Sequence, residues 1–155
     1  AEASFELLVR RTIEGYTPSF ELVDYMVIVT RKHHPSTSQE AVGKDDLLCE
    51  ATVKVRVNSE VRHTAGVGNG PVNALDSALR KALLQDYPSL DAVRLMDYKV
   101  RVVAQGLGTG AVVRVLVEST DGTHTWQTVG ASTNIIEASW LALVDSLEYW
   151  LLKFG

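Results

Sequence analysis

The feature that most constrains this chain is an internal repeat. Thr52-Val53-Lys54-Val55-Arg56-Val57 is echoed by Val112-Val113-Arg114-Val115-Leu116-Val117, and Asp24-Tyr25 by Asp97-Tyr98. Around these anchors each half reads as three strands followed by a helix. A three-stranded sheet with one helix has too little partner surface to bury its apolar face alone, whereas two such units packed together share a core. The expected architecture is therefore α+β: two β-β-β-α repeats related by a pseudo-twofold axis. The 155 residues suit one domain of this kind, large enough to bury about 70% of its unfolded surface without a staple.

Apolar positions Phe5, Leu8, Val9 and Ile13 predict a short amphipathic helix over residues 1–15, ended by Gly15 and Pro18. The first repeat occupies 20–90. Residues 20–32 are β-branched and aromatic and read as a strand. A polar loop (33–46) follows, then the alternating strand from Leu48, a turn at Asn58-Ser59, and a strand from Val61 to Val67. Gly66-Val67-Gly68-Asn69-Gly70-Pro71 leads into a helix with apolar residues at 74, 75, 78, 79, 82 and 83, Pro71 suiting its first turn. The second repeat, 91–155, has strands at 93–104, around 112–117 and at 123–129, with a glycine loop at 106–110 and a hairpin turn at Asp121-Gly122. Its helix, about Ile135 to Phe154, has Asn134 and Glu137 placed for a capping box. It is apolar nearly all round, so it is expected to be buried on several sides, partly by a second copy in a C2 dimer.

Composition excludes several functions. A net charge of −4 argues against a nucleic-acid partner. A lone cysteine, Cys49, excludes a disulfide framework and a Cys-rich zinc site, and suits a buried structural thiol. No apolar run reaches the length of a membrane span and no signal peptide is visible, so a cytoplasmic setting is the default. A start at Ala1 suggests a piece of something longer. His33-His34 is a poor metal pair, because adjacent strand residues point to opposite faces. His63 and His124 read as strand residues with satisfied nitrogens. No nucleophile, base and orienting group come together, so no catalysis is expected.

The glycine segment is more informative. Glycines at 66, 68 and 70 followed by Pro71 fit neither the dinucleotide fingerprint nor a phosphate-binding loop with Gly-Lys-Ser/Thr. One reading is a strand-to-helix turn needing unusual backbone angles. The other adds a function: free N–H groups at a helix start attract an anion, and glycine lets it approach. Gly130-Ala131-Ser132-Thr133-Asn134 offers a parallel turn. Few cations line either, so a single carboxylate fits better than a triphosphate. Val72, Leu95, Tyr98, Val102, Val112 and Ile135 would wall a branched aliphatic side chain. A branched-chain amino acid combines these features.

Gly68-Asn69-Gly70-Pro71-Val72-Asn73-Ala74-Leu75, Leu95-x-Asp97-Tyr98 and Thr128-Val129-Gly130-Ala131-Ser132-x-Asn134-Ile135-Ile136-Glu137-Ala138-Ser139-Trp140 resemble the C-terminal regulatory domain of the 2-isopropylmalate synthase family. The opening Ala1-Glu2-Ala3-Ser4-Phe5-Glu6-Leu7-Leu8 and the stretch from Ile135 to Tyr149 look more like its (R)-citramalate synthase branch. The resemblance implies a single regulatory domain over 1–155, with 1–15 as its linker helix. It implies an N-terminal catalytic TIM barrel in the same polypeptide, absent from this chain, which condenses acetyl-CoA with a 2-oxo acid and holds a divalent metal. No cofactor is implied in the regulatory domain itself. It implies a homodimer that binds the pathway end product near its interface: L-isoleucine in the citramalate branch, L-leucine in the isopropylmalate branch. Carried over by position, the effector pocket falls on Gly68, Gly70, Val72, Asn73, Leu95, Tyr98, Val102, Thr109, Val112, Thr133 and Ile135. Many relatives carry Asp where this chain has Asn73, whose amide oxygen makes a weaker contact to an ammonium than a charge-assisted one; Asp97 or backbone carbonyls would then share that role. The alternatives are the same module tuned to leucine, or a structural dimerisation module with an empty pocket.

Overall fold

The computed structural model describes residues 2–32, 46–102 and 110–155. The expected loops at 33–46 and 106–110, with His33-His34 and Thr109, lie almost wholly outside them. The order is α1 (Glu2–Arg11), β1 (Glu21–Lys32), β2 (Asp46–Val57), β3 (Glu60–Gly68), α2 (Pro71–Leu83), a short 3-10 helix (Pro88–Ala92), β4 (Arg94–Val102), β5 (Val113–Thr120), β6 (Thr125–Ser132) and α3 (Ile135–Lys153). The strands form two antiparallel meanders, β1-β2-β3 and β4-β5-β6. This is the predicted α+β arrangement of two β-β-β-α units behind an N-terminal helix.

The equivalence of the halves extends to individual atoms. Each edge strand slips register just before its Asp-Tyr pair, between Leu22 and Asp24 and between Leu95 and Asp97. In each third strand a threonine hydroxyl donates to a carbonyl of the following helix: Thr64 Oγ1 to Ala78 O at 2.6 Å, and Thr128 Oγ1 to Ala142 O at 2.7 Å. In each, a glycine lets helix and strand touch. A Cβ on Gly66 would lie 2.5 Å from Ala78 N, and one on Gly130 would collide with Ala138 O.

Strand alternation sets the core. Val53, Val55 and Val57 of β2 and Val115 and Val117 of β5 are fully buried under the helices, with Leu75, Leu79 and Leu83 of α2 and Leu143 and Leu147 of α3. Cys49 is buried among them, as expected. α3 packs on β5 and β6 and also touches α1 and α2, which accounts for its nearly all-round apolar character.

Several expectations are corrected. α1 docks through Ala3 and Leu7, spaced four apart, so Phe5, Leu8, Val9 and Ile13 face outward. The glycines at 66, 68 and 70 do not need left-handed angles; among described glycines only Gly15 and Gly122 have positive φ. Gly66 and Gly68 serve close approach to α2 instead. The Asn58-Ser59 turn is the one built on positive φ at both residues, the two-residue hairpin geometry that matches strand twist. His124 lies just before β6 rather than on it, its Nδ1 3.0 Å from Asp121 Oδ2.

Candidate functional site

The two helix starts converge. Gly70, Pro71, Val72 and Asn73 from α2, Leu95 and Tyr98 from β4, and Ile135, Ile136 and Ser139 from α3 line one cavity of about 300 Å³. Of the residues named from sequence, Gly70, Val72, Asn73, Leu95, Tyr98 and Ile135 are gathered there. Gly68, Val102, Val112 and Thr133 do not line it, and Thr109 lies outside the described residues. Gly68 instead packs against the first turn of α2, where a Cβ would lie 2.6 Å from Ala74 N. Val102 sits at the exposed end of β4. Asp97 is directed away from the cavity: its cross-strand partner is Glu118, on the sheet face opposite Tyr98, and its Oδ1 accepts the amide of Tyr98 at 2.8 Å.

The two helix starts differ electrostatically. At α2 the N-cap is Gly70, which has no side chain to cap with, and Pro71 has no N–H. The first ladder bond runs from Ala74 N to Gly70 O at 3.1 Å. The amides of Val72 and Asn73 therefore have no acceptor among the described residues and sit at the positive end of the helix dipole. At α3 the equivalent amides are occupied, since Asn134 Oδ1 accepts from Ile136 N at 2.9 Å and Glu137 N at 3.2 Å. Only half of the capping box forms. Glu137 does not reach back to the Asn134 amide; its carboxylate accepts the Ser132 hydroxyl at 3.0 Å, and the same hydroxyl oxygen accepts the Asn134 amide. Only the α2 start remains open to an anion, correcting the expectation of two parallel turns.

Gly70 is also open sterically. Its φ of −152° and ψ of 173° suit any residue, and a Cβ there would meet nothing within 4 Å. Nothing in the fold calls for glycine at this position. Opposite it, Ser139 Oγ donates to Ile135 O at 2.7 Å and lies 3.2 Å from Tyr98 Oη. With the serine proton engaged, the tyrosine donates to Ser139 and its own oxygen is left as an acceptor. The remaining walls, Val72, Leu95, Ile135 and Ile136, are aliphatic. Sequence reasoning did not place Pro71, Ile136 and Ser139 here. The repeat carried the signal for two of them, since Pro71 and Val72 occupy in α2 the positions of Ile135 and Ile136 in α3.

Among the described residues no group of His, Cys, Asp and Glu is placed to hold a metal ion, and no helix is long and apolar enough to cross a membrane.

The model of the LeuA allosteric (dimerisation) domain matches residues 1–151. The chain is 48% identical to an (R)-citramalate synthase of Geobacter sulfurreducens over 99% of its own length and 27% of that protein's. It is likewise 48% identical to an (R)-citramalate synthase of Aquifex aeolicus, again over 99% of the chain and 27% of the relative. A 2-isopropylmalate synthase of Aquifex aeolicus is 30% identical over 96% of the chain and 28% of the relative. The chain thus spans about a quarter of the length of these curated relatives.

Proposed function

The chain belongs to the LeuA allosteric (dimerisation) domain family, and from that premise we propose that it is the isoleucine-sensing regulatory part of an (R)-citramalate synthase. In this reading the full protein condenses acetyl-CoA with pyruvate in a separate metal-dependent barrel, and isoleucine in the cavity inhibits it. The metal and the chemistry belong to that barrel; this chain binds and transmits.

The observation that carries the reading is Gly70. A glycine that the backbone does not require, at an uncapped helix start that opens into an aliphatic cavity, is explained by a ligand that lies where a side chain would stand. The ligand carboxylate takes the amides of Val72 and Asn73. Its ammonium takes the Asn73 carboxamide oxygen and the Tyr98 oxygen. Its branched tail lies on Val72, Leu95 and Ile136. About 300 Å³ is at the small end of ligand sites, which run from roughly 300 to 1,000 Å³.

Transmission follows α3. Its first turn lines the cavity, and its last turns hold the N-terminal segment. Arg11 pairs with Asp145 at 2.7 Å, Lys153 with Glu6 at 3.2 Å, and buried Glu148 accepts the Tyr16 hydroxyl at 2.8 Å and the Ser19 amide at 3.0 Å. A ligand that prefers one setting of α3 thereby biases the segment joined to the barrel, with a coupling of typically ~1–3 kcal/mol. A second copy of the chain covers the helix-side faces of β1 and β4, where Val29, Val100 and Val102 are exposed although their strand partners are buried or half-buried.

Calorimetry of the chain with isoleucine, leucine and valine tests the assignment. Isoleucine gives saturable heat and binds most tightly. Tightest binding by leucine transfers the assignment to the isopropylmalate branch, supported here by the 30% identical relative. No heat with any of the three at millimolar concentration leaves only a dimerisation module.

A further inference from the structure

The sheet faces turned away from the helices differ in how they pair their charges. On β1-β2-β3 the charged cross-strand neighbours are complementary: Glu21 lies opposite Arg56 with a 3.6 Å ion pair, and Asp24 opposite Lys54 with one of 3.7 Å. On β4-β5-β6 they are like-charged twice over: Asp97 lies opposite Glu118, and Arg101 directly opposite Arg114. Like charges in that position destabilise a sheet. Among the described residues no carboxylate comes within ion-pair distance of either arginine, although the chain carries an excess of acids. The third residue of their row, Ala131 on β6, offers no charge. The equivalent places in the first repeat, counted from the two Asp-Tyr pairs and their registers, are Ile28 and Glu50, so the repeat itself does not demand two cations.

These arginines do not stand on a flat surface. With Lys99, Leu116, Gln127 and Val129 they line a groove of about 350 Å³ on the outer face of the sheet. Lys99 pairs with exposed Asp97 at 3.7 Å. Two planar guanidinium forks match the oxygens of a phosphate or carboxylate. Three cations on one wall suit a dianion, and a phosphate ester approaches a charge of −2 near neutral pH where a carboxylate carries only −1. We propose that the outer face of β4-β5-β6 is a second binding site, in which Arg101, Arg114 and Lys99 hold a phosphate-bearing small molecule over a floor of Leu116 and Val129. The anion supplies the counter-charge that the protein withholds from the Arg101–Arg114 pair. The site lies on the opposite side of the sheet from Tyr98 and is independent of the amino-acid cavity.

The test uses the 155-residue chain in low-salt, phosphate-free buffer, titrated calorimetrically with inorganic pyrophosphate and, separately, with ADP. Both probes bind saturably, and Arg101→Gln and Arg114→Glu each weaken binding tenfold or more. Tighter binding of ADP identifies an organic phosphate ester as the ligand; tighter binding of pyrophosphate identifies the free inorganic anion. Without anion, Arg114→Glu turns a repulsive pair into an attractive one and raises Tm by about 1–3 °C. No saturable binding of either probe, affinity unchanged in both variants, or a lower Tm for Arg114→Glu overturns the proposal.

Discussion

Two glycines four residues apart have opposite predicted responses to the same added methyl group. At Gly66 an alanine Cβ would lie 2.5 Å from Ala78 N, 2.8 Å from Ala74 O and 2.9 Å from Ser77 Cβ. Two of these are backbone atoms of α2, so relief requires the helix to move off β3. Overpacking of this sort costs about 1–3 kcal/mol, and rigid neighbours put Gly66→Ala at the upper end. At Gly70 the methyl meets nothing within 4 Å, and the extended backbone before Pro71 is one that alanine adopts readily. Gly70→Ala therefore stabilises the chain by about 0.4–1 kcal/mol, through lost freedom in the unfolded state. The same methyl projects into the space assigned to the effector carboxylate, and isoleucine affinity falls tenfold or more, about 1.4 kcal/mol. Urea midpoints and calorimetric titrations on both variants read these quantities. A Gly70→Ala protein less stable than the parent, or one binding isoleucine unchanged, would refute the account of that glycine.

Other consequences follow from the repeat and the N-terminal clasp. Thr64→Val and Thr128→Val each remove one strand-to-helix hydrogen bond at equivalent positions, so both lower stability by about 1 kcal/mol; a large inequality would break the equivalence of the halves. Glu148→Ala removes the buried acceptor of Tyr16 and Ser19, costs about 2 kcal/mol, and speeds hydrogen exchange of the Tyr16–Ser19 amides well above that of β5. Asp121 is held well below the usual carboxylate range, first by the His124 amide and then by the Trp150 indole. A depressed folded-state pKa means its stabilisation is complete above the unfolded value of about 3.9 and fades as pH falls toward the folded one. The difference in urea midpoint between parent and Asp121→Asn should thus shrink from pH 5 to pH 2.5, and a constant difference would exclude this role.

The architecture was legible because repetition and strand alternation are linear properties. Val53, Val55 and Val57 declare their buried face by spacing alone. Pro71 and the apolar positions from 74 to 83 mark the course of α2. The orientation of α1 was not legible. Its more conspicuous apolar residues, Phe5, Leu8, Val9 and Ile13, lie outside, and the face of Ala3 and Leu7 makes the contact with β6 and α3, a choice set by tertiary packing. In the cavity, the glycine turn, Leu95 and Tyr98 were visible from sequence, but which α3 residues complete it depends on how α2 meets α3, a tertiary contact with no local signal. The asymmetry between the helix starts rests on a single exchange: Gly70 occupies the N-cap position that Asn134 fills in the other half, so one start is open and the other closed by its own side chain.

The central claim is that the open start of α2 receives an amino-acid carboxylate. Amide spectra of the 15N-labelled chain, recorded with and without isoleucine, test it at the atoms concerned. The account predicts that the Val72 and Asn73 resonances shift most as their N–H groups gain an acceptor, with Tyr98 and Ile136 following, while Ile135 and Glu137 at the other helix start move less. Saturable binding that leaves Val72 and Asn73 in place, with the shifts gathered elsewhere in the chain, would contradict it.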